Sequence, residues 1–343
     1  MEFIRLELLV LTLLKQNREA KLHSNKRVMV VDMFNMFYRA WVVDPSLSLN
    51  GPPIGGLKGS LKILQKLSRD IKPDKILICW DGPGGSFKRR SINKNYKEGR
   101  KPARCNWGDS SSLSPEEKEH NRKWQQLRLM DYFNELPVCQ LFLHDIEADD
   151  IISFACQLPH LKGWQKIIVS SDKDFYQLLD NETLLFRPIQ KQLLNKNDII
   201  NEFSIHPNNF TLARAMVGDK SDGLKGVPGV GLKTIAKRFP FLAEEKIHSL
   251  NRIITHCQNT NSKLKVYENI QDHEELIIEN YTLMQLYTPS ISPIGSQKLK
   301  NEIINCDMSF NKIGLLRLMA EDGFGEFNWT DLMRHFRKMA LDS

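Results

Sequence analysis

Between His144 and Ala155 the sequence reads HDIEADDIISFA, with Asp145, Glu147, Asp149 and Asp150 crowded ahead of the apolar Ile151, Ile152 and Ala155. Carboxylates a few ångströms apart raise one another's pKa and repel unless a cation lies between them. Two further acidic pairs follow, Asp172 and Asp174 in SSDKDF and Asp219 and Asp222 in GDKSDG. Asp32 and Asp81 each close a short apolar run. Any one of these acids alone is an ordinary helix cap or turn residue. As a set of oxygen donors without histidine or cysteine, they suit a hard divalent ion, magnesium or manganese. The six cysteines contain no CxxC pair and the nine histidines no HxH or HxxxH pattern, which argues against a zinc site or a disulfide framework and for a reducing compartment.

The acids need a scaffold that brings them together. RVMVVD from Arg27, KILICWD from Lys75, VCQLFLHD from Val138 and KIIVSSD from Lys166 are continuous apolar runs ending in aspartate, the pattern of strands buried on both faces. Helical stretches such as GGLKGSLKILQKLSRDI and EADDIISFACQL alternate with them. That order predicts a parallel sheet flanked by helices, whose carboxyl edge is where ligands bind. Asp32, Asp81 and Asp172 fall on that edge, and Glu147 and Asp149 fall on the first turn of the helix that follows the third strand.

Two basic stretches suggest a polyanion. From Phe87 the run FKRRSINKNYKEGRK sets Arg89, Arg90, Lys94, Lys97, Arg100 and Lys101 around Phe87 and Tyr96. Cations to follow a backbone and rings to stack on bases are what single-stranded nucleic acid requires. CNWGDSSSLSPEE then reads as a flexible connection, with Ser114 or Asp109 capping the next helix. From Leu224 the run LKGVPGVGLKTIAKRF places Gly226, Gly229 and Gly231 before Lys233, Thr234 and Lys237, so the backbone can approach a phosphate closely and lysines one turn apart add charge. The formal net charge of +7 agrees with such a partner. Residues 1–26 hold an apolar run interrupted by Arg5 and Glu7, too short to span a bilayer and without a cleavage site, so a cytoplasmic protein is expected. EEKIHSLNRIITHCQ and NKIGLLRLMAEDGF read as amphipathic helices with core-facing stripes.

Taken in order, VVDMFNMFYRAW, CWDG, RRSINKNYKEGRK, EADD, SSDKDF and GDKSDGLKGVPGVGLKTIAKRF resemble the 5′-nuclease (flap endonuclease) superfamily over roughly Arg27 to Phe239. Within it the chain is most similar to the small phage 5′ to 3′ exonucleases, including phage-type RNase H, with bacterial polymerase-linked exonuclease domains next. The resemblance implies an α/β fold, a central mostly parallel twisted sheet (PIN-like) flanked by helices. It divides the chain into an N-terminal extension (1–26), a nuclease core (27–200) with a helical arch at about 84–135, and a helical DNA-binding region (201–343) with a glycine-rich helix-turn-helix variant at about 207–240.

By the same resemblance one metal ion belongs to Asp32, Asp81, Glu147 and Asp149. A second belongs to Asp149, Asp172, Asp174 and Asp219, with Asp150 and Asp222 nearby. The expected cofactors are two Mg2+ ions, replaceable by Mn2+, with K+ at the glycine-rich turn. Lys97 and Arg100 match residues that contact the scissile phosphate, and the arch and turn residues named above match DNA contacts. The implied chemistry is two-metal phosphodiester hydrolysis on DNA with 5′ flaps or nicks and on RNA/DNA primer duplexes, by a monomer that works with replication proteins such as a single-strand-binding protein or sliding clamp. Met33 stands where many members have glycine, and Gly223 and Lys225 where asparagine and proline are commoner; the metal ligands are untouched. Two other readings stay open, a non-catalytic junction-binding protein of this fold and a nuclease acting chiefly on RNA.

Overall fold

The computed structural model describes residues 26–98, 113–262 and 264–342. Six strands form one sheet: β1 (Arg27–Asp32), β2 (Lys75–Cys79), β3 (Cys139–Leu141), β4 (Gln165–Val169), β5 (Thr183–Arg187) and β6 (Gln192–Leu194). Their order is β3-β2-β1-β4-β5-β6. The first five are parallel, and β6 returns antiparallel to β5. Val28 to Val31 are fully buried. β-branched side chains pack well on a sheet covered on both faces. In register, Asp32 lies opposite Cys79, and Val31 lies opposite Val169. Asp32 therefore stands at the carboxyl end of the two central strands.

Early in the chain come α1 (Met33–Val43), α2 (Gly55–Ile71), α3 (Phe87–Ile92), α4 (Pro115–Asn134), α5 (Ala148–Gln157) and α6 (Lys196–Phe203). They are followed by α7 (Pro207–Val217), α8 (Leu232–Arg238), α9 (Leu250–Asn259), α10 (Lys265–Asp272) and α11 (Glu274–Met284). The chain closes with α12 (Pro293–Ile304), α13 (Lys312–Glu321) and α14 (Trp329–Asp342). Strand alternation sorts the core into two layers. Val28, Val30 and Leu77 face α5, α7 and α9 to α12. Met29, Val31, Ile76 and Ile78 face α1, α2, α4, α13 and α14. The two stripes read as core do face inward: α9 buries Ile253, Ile254 and Cys257, and α13 buries Leu315 and Met319. Among the described residues no helix is long and apolar enough to cross a membrane.

The sheet has two strands more than the four apolar runs predict. β5 and β6 are short and joined through a turn at Pro188 to Lys191, with Lys191 in the left-handed region at φ 51°. The third predicted strand is shorter than its run: only Cys139–Leu141 pairs with β2, and beyond it Phe142 is exposed while Leu143 and Ile146 turn into the core.

Candidate active site

The acids at the carboxyl edge are fixed by local hydrogen bonds that follow from the chain's need to start helices there. Asp32 is the N-cap of α1. One of its oxygens accepts from the Asn35 amide at 3.2 Å, and the other accepts from the Ser170 hydroxyl at 2.8 Å, which ties β1 to the end of β4. Asp172 accepts from the Asp174 amide at 2.8 Å at the start of a short 3-10 helix, Lys173–Leu178. Asp81 accepts from the Ala148 amide at 2.7 Å. That amide opens α5 and would otherwise lack a partner. Because Asp81 satisfies it from a neighbouring strand end, the true N-cap residue, Glu147, makes no side-chain capping bond and is left for other contacts.

Crowding shows in the electrostatics. Burial first, then the charge of Asp81, pushes Asp32 up to about 7, and Asp172 adds to it. Asp174 is likewise pushed up to about 7 by burial and then by Asp172. Asp149 is raised well above the ordinary carboxylate range by burial and then by Asp172. Burial also raises Asp172, against the lowering effect of the Asp174 amide, and Asp222 adds repulsion. These acids of five different segments share one electrostatic neighbourhood. Among the described residues no three of them close on one point as a ready-made ligand shell. A hard ion such as magnesium keeps several waters and takes one or two carboxylates directly, so an all-oxygen set of mutually repelling acids fits it chemically.

Glu147 and Asp219 behave oppositely. Burial pulls Glu147 up, but Arg89 and Lys97 outweigh it and hold the carboxyl below its ordinary value. Lys97 Nζ lies 2.8 Å from Glu147, and Arg89 pairs with both Glu147 and Asp150, the latter at 3.0 Å. Asp219 is held low, against burial, by the Ser221 hydroxyl and by Arg214. Arg214 also reaches Asp174 at 3.4 Å. Asp150 points away from the shared edge, accepting from the Ser290 amide at 2.9 Å. Asp222 is buried, and its carbonyl accepts from the Lys97 amide at 2.9 Å.

The basic segment departs from its expected role at two positions. Tyr96, expected to offer a ring to a base, is 4% exposed and packs with Leu224, Leu283 and Met284, its hydroxyl 3.3 Å from Glu147. Arg89, expected on the nucleic-acid face, is turned inward, with Nε donating to the Leu283 carbonyl at 3.0 Å. The cause is α11, which lies behind the segment and supplies both an apolar wall for the ring and a carbonyl for the guanidinium. Arg90 and Lys94 are exposed. Lys97 adopts φ 59° and sets its ammonium over the Tyr96 ring at 4.9 Å, beside the acids. Arg100 and Lys101 lie outside the described residues, as do Asp109 and most of the connection read as flexible.

In the glycine-rich segment, a Cβ on Gly226 would sit 1.9 Å from the Val217 carbonyl, so only glycine lets the loop pass the end of α7. Gly229 sits at φ 73° in open space, and Gly231 is the N-cap of α8. Lys233 and Lys237 are exposed on α8, and Thr234 is half-buried. Arg214 is the functional-site residue that the motifs do not flag. Its signal is a lone cation in the apolar stretch FTLARAMV, five residues ahead of Asp219.

With this geometry in hand, comparison with known proteins is informative. Residues 27–204 match the family model described as 5′-3′ exonuclease, N-terminal resolvase-like domain. The chain is 30% identical over 256 residues to a 5′-3′ exonuclease of Buchnera aphidicola, covering 71% of this chain and 83% of the relative. It is 26% identical over 276 residues to a 5′-3′ exonuclease of Aquifex aeolicus, covering 80% and 86% of the two chains. In fold it is similar to the bacteriophage T5 D15 flap endonuclease, solved with DNA and metal ions, at a TM-score of 0.62 and 18% identity, covering 86% of this chain and 100% of that one. The family match spans more than half of the chain and includes the strand-end acids, so the chain belongs to the 5′-3′ exonuclease family and is a nuclease.

Proposed function

We propose that this protein is a divalent-metal-dependent 5′-nuclease that hydrolyses phosphodiester bonds at 5′ flaps, nicks and the 5′ ends of DNA or RNA/DNA duplexes, as in primer removal. The observation that carries this reading is the group Asp32, Asp149, Asp172 and Asp174, gathered at one sheet edge with all four carboxyls raised by burial and mutual charge. Asp32, Asp81, Glu147 and Asp149 would hold one ion. Asp149, Asp172, Asp174 and Asp219 would hold a second. Mg2+ is the first choice, Mn2+ a substitute, and K+ the ion for the Gly226 to Gly231 turn. When bound, the divalent pair supplies Lewis acidity that activates water and offsets charge on the phosphate. Lys97 orients the scissile phosphate from the side of Glu147, and Arg100 assists it. Arg90, Lys94 and Lys101 guide the single strand, while Lys233 and Lys237 hold duplex phosphates through charge that is indifferent to sequence. The T5 flap endonuclease carried DNA and metal ions in its crystal. That supports the substrate class only by analogy of fold.

The test is cleavage of end-labelled flap, nicked and RNA-primed duplexes, with Mg2+ and with EDTA. Metal-dependent release of short 5′ products is expected. Binding to all three substrates without cleavage under any divalent ion would refute the catalytic reading in favour of a junction-binding protein, and cleavage confined to RNA strands would refute the DNA assignment.

A further inference from the structure

The amino edge of the sheet, opposite the carboxylates, carries a second feature. The starts of β1, β2 and β4 meet the end of α12 and helix α14 around a cavity of about 840 Å³. β1 is six residues long. At about 3.3 Å per residue, this puts the cavity on the order of 20 Å from Asp32. Its floor is apolar, with Trp164, Met308 and Met339, and its rim carries Lys72, Arg334 and Lys338.

The acids on the wall are already engaged. Asp74 accepts from the Arg27 amide at 2.7 Å, and Asp331 pairs with Arg69 at 3.5 Å. Two other cations of the lining are engaged as well, Lys75 by the Ile303 carbonyl at 2.7 Å and Lys26 by the Trp164 ring at 5.2 Å. Lys72, Arg334 and Lys338 have no carboxylate partner among the described residues. Between them the His335 Nε2 atom is buried with no hydrogen-bond partner. Burial, then Lys338 and Lys72, disfavour a charge on that ring. Clustered cations repel, and one bound anion relieves that repulsion. The volume far exceeds a lone phosphate and falls within the ~300–1,000 Å³ of small-molecule sites. A cationic rim over an apolar floor calls for an anion with an apolar body.

We propose that this cavity binds a small phosphomonoester of the nucleoside phosphate class. Lys72, Arg334 and Lys338 hold the phosphate beside the His335 ring, and the base lies against Met308 and Met339. The proposal does not depend on how the carboxylates work, because the two sites occupy opposite ends of the strands.

The test uses the full-length protein in EDTA and follows the His335 ring resonance by NMR, assigned by its loss in His335→Gln. Titration with dAMP should move this resonance saturably and deoxyadenosine should leave it in place. Inorganic phosphate should need a concentration at least about tenfold higher, because it lacks the apolar body. The double variant Arg334→Glu/Lys338→Glu, altered only at exposed side chains, should weaken dAMP at least about tenfold through loss of charge-assisted hydrogen bonds and leave flap cleavage unchanged. A His335 resonance that ignores dAMP while calorimetry detects binding elsewhere would overturn the proposal. Equal saturation by phosphate and dAMP, or unaltered dAMP binding by the double variant, would do the same.

Discussion

Replacing the Asp32 carboxylate by an amide should stabilise the metal-free protein at neutral pH while destroying its activity. Asp32 sits at the carboxyl end of β1, 8% exposed, with its pKa moved from 3.8 to about 7. A folded-state pKa above the unfolded one means that the folded chain binds the proton more tightly. Stability from this group is therefore fully present below about pH 4 and is lost as pH rises towards about 7. Roughly three pKa units at ~1.4 kcal/mol each set a ceiling of about 4 kcal/mol. Asp81 and Asp172 share the repulsion and relax when it is removed, so about 2 kcal/mol is expected for Asp32→Asn at about pH 7.5. At about pH 5 the folded wild-type carboxyl is protonated while the unfolded one is still mostly ionised, so the difference should fall to roughly half or less and vanish only below about pH 4. The amide can still accept from the Asn35 amide and donate to the Ser170 hydroxyl, so the local geometry survives. Urea unfolding in EDTA at both pH values measures this directly. Saturating Mg2+ should reverse the order, because the wild type alone keeps the full ligand set. A variant less stable than wild type at about pH 7.5 in EDTA, or a gap unchanged at about pH 5, would refute the electrostatic account of the cluster.

Other perturbations probe separate parts of the site. Asp172→Asn should lower single-turnover flap cleavage by at least about 10²-fold with flap affinity in EDTA intact, as read by a gel assay and by fluorescence anisotropy. Lys97→Ala should slow single-turnover cleavage by about 10²-fold at saturating enzyme; an effect on affinity alone would remove Lys97 from the chemical step. Lys233→Ala with Lys237→Ala should weaken binding to any duplex sequence and flatten the slope of log affinity against log salt by about one to two. Tyr96→Ala should cost about 3–5 kcal/mol in urea unfolding and Tyr96→Phe about 1 kcal/mol, and equal stabilities would contradict a buried, hydrogen-bonded ring.

The sheet and the acids at its carboxyl edge were legible because each rests on a local signal. Continuous Val and Ile runs specify doubly covered strands, and an aspartate at the end of such a run must lie at the sheet edge whatever the rest of the chain does. The hairpin strands β5 and β6 lack that signal, since β5 ends in Arg187 rather than an aspartate and β6 is only three residues long. Arg89 and Tyr96 were misplaced for a different reason. Their direction is set by α11, almost two hundred residues later, and a basic run with rings looks the same whether it faces solvent or folds back on a helix. Arg214 was hidden because the partner that gives it meaning, Asp174, comes from a different strand end. Patterns within a few residues could be read; contacts made only by the fold could not.

The same long-range contacts join the two regions that were read as separate grips. Helix α11 touches the segment from α3 to Lys97 through the Leu283 carbonyl on Arg89, and through Glu279, which accepts from the Asn93 amide group at 2.7 Å. It touches the glycine-rich loop through the buried Asn280, whose side-chain amide donates to the carbonyls of Ala215 at 2.9 Å and Lys225 at 2.8 Å. Tyr96 packs against Leu224 from the loop and Leu283 and Met284 from the helix, and the Lys97 amide bonds the Asp222 carbonyl. Buried hydrogen-bonded contacts of this kind are costly to break singly, because each leaves a polar group without a partner. The segment from α3 to Lys97, the loop ahead of α8 and the acids Glu147 and Asp222 therefore pack together against a single helix. Lys97 and Glu147 thus share their supporting contacts with the glycine-rich loop.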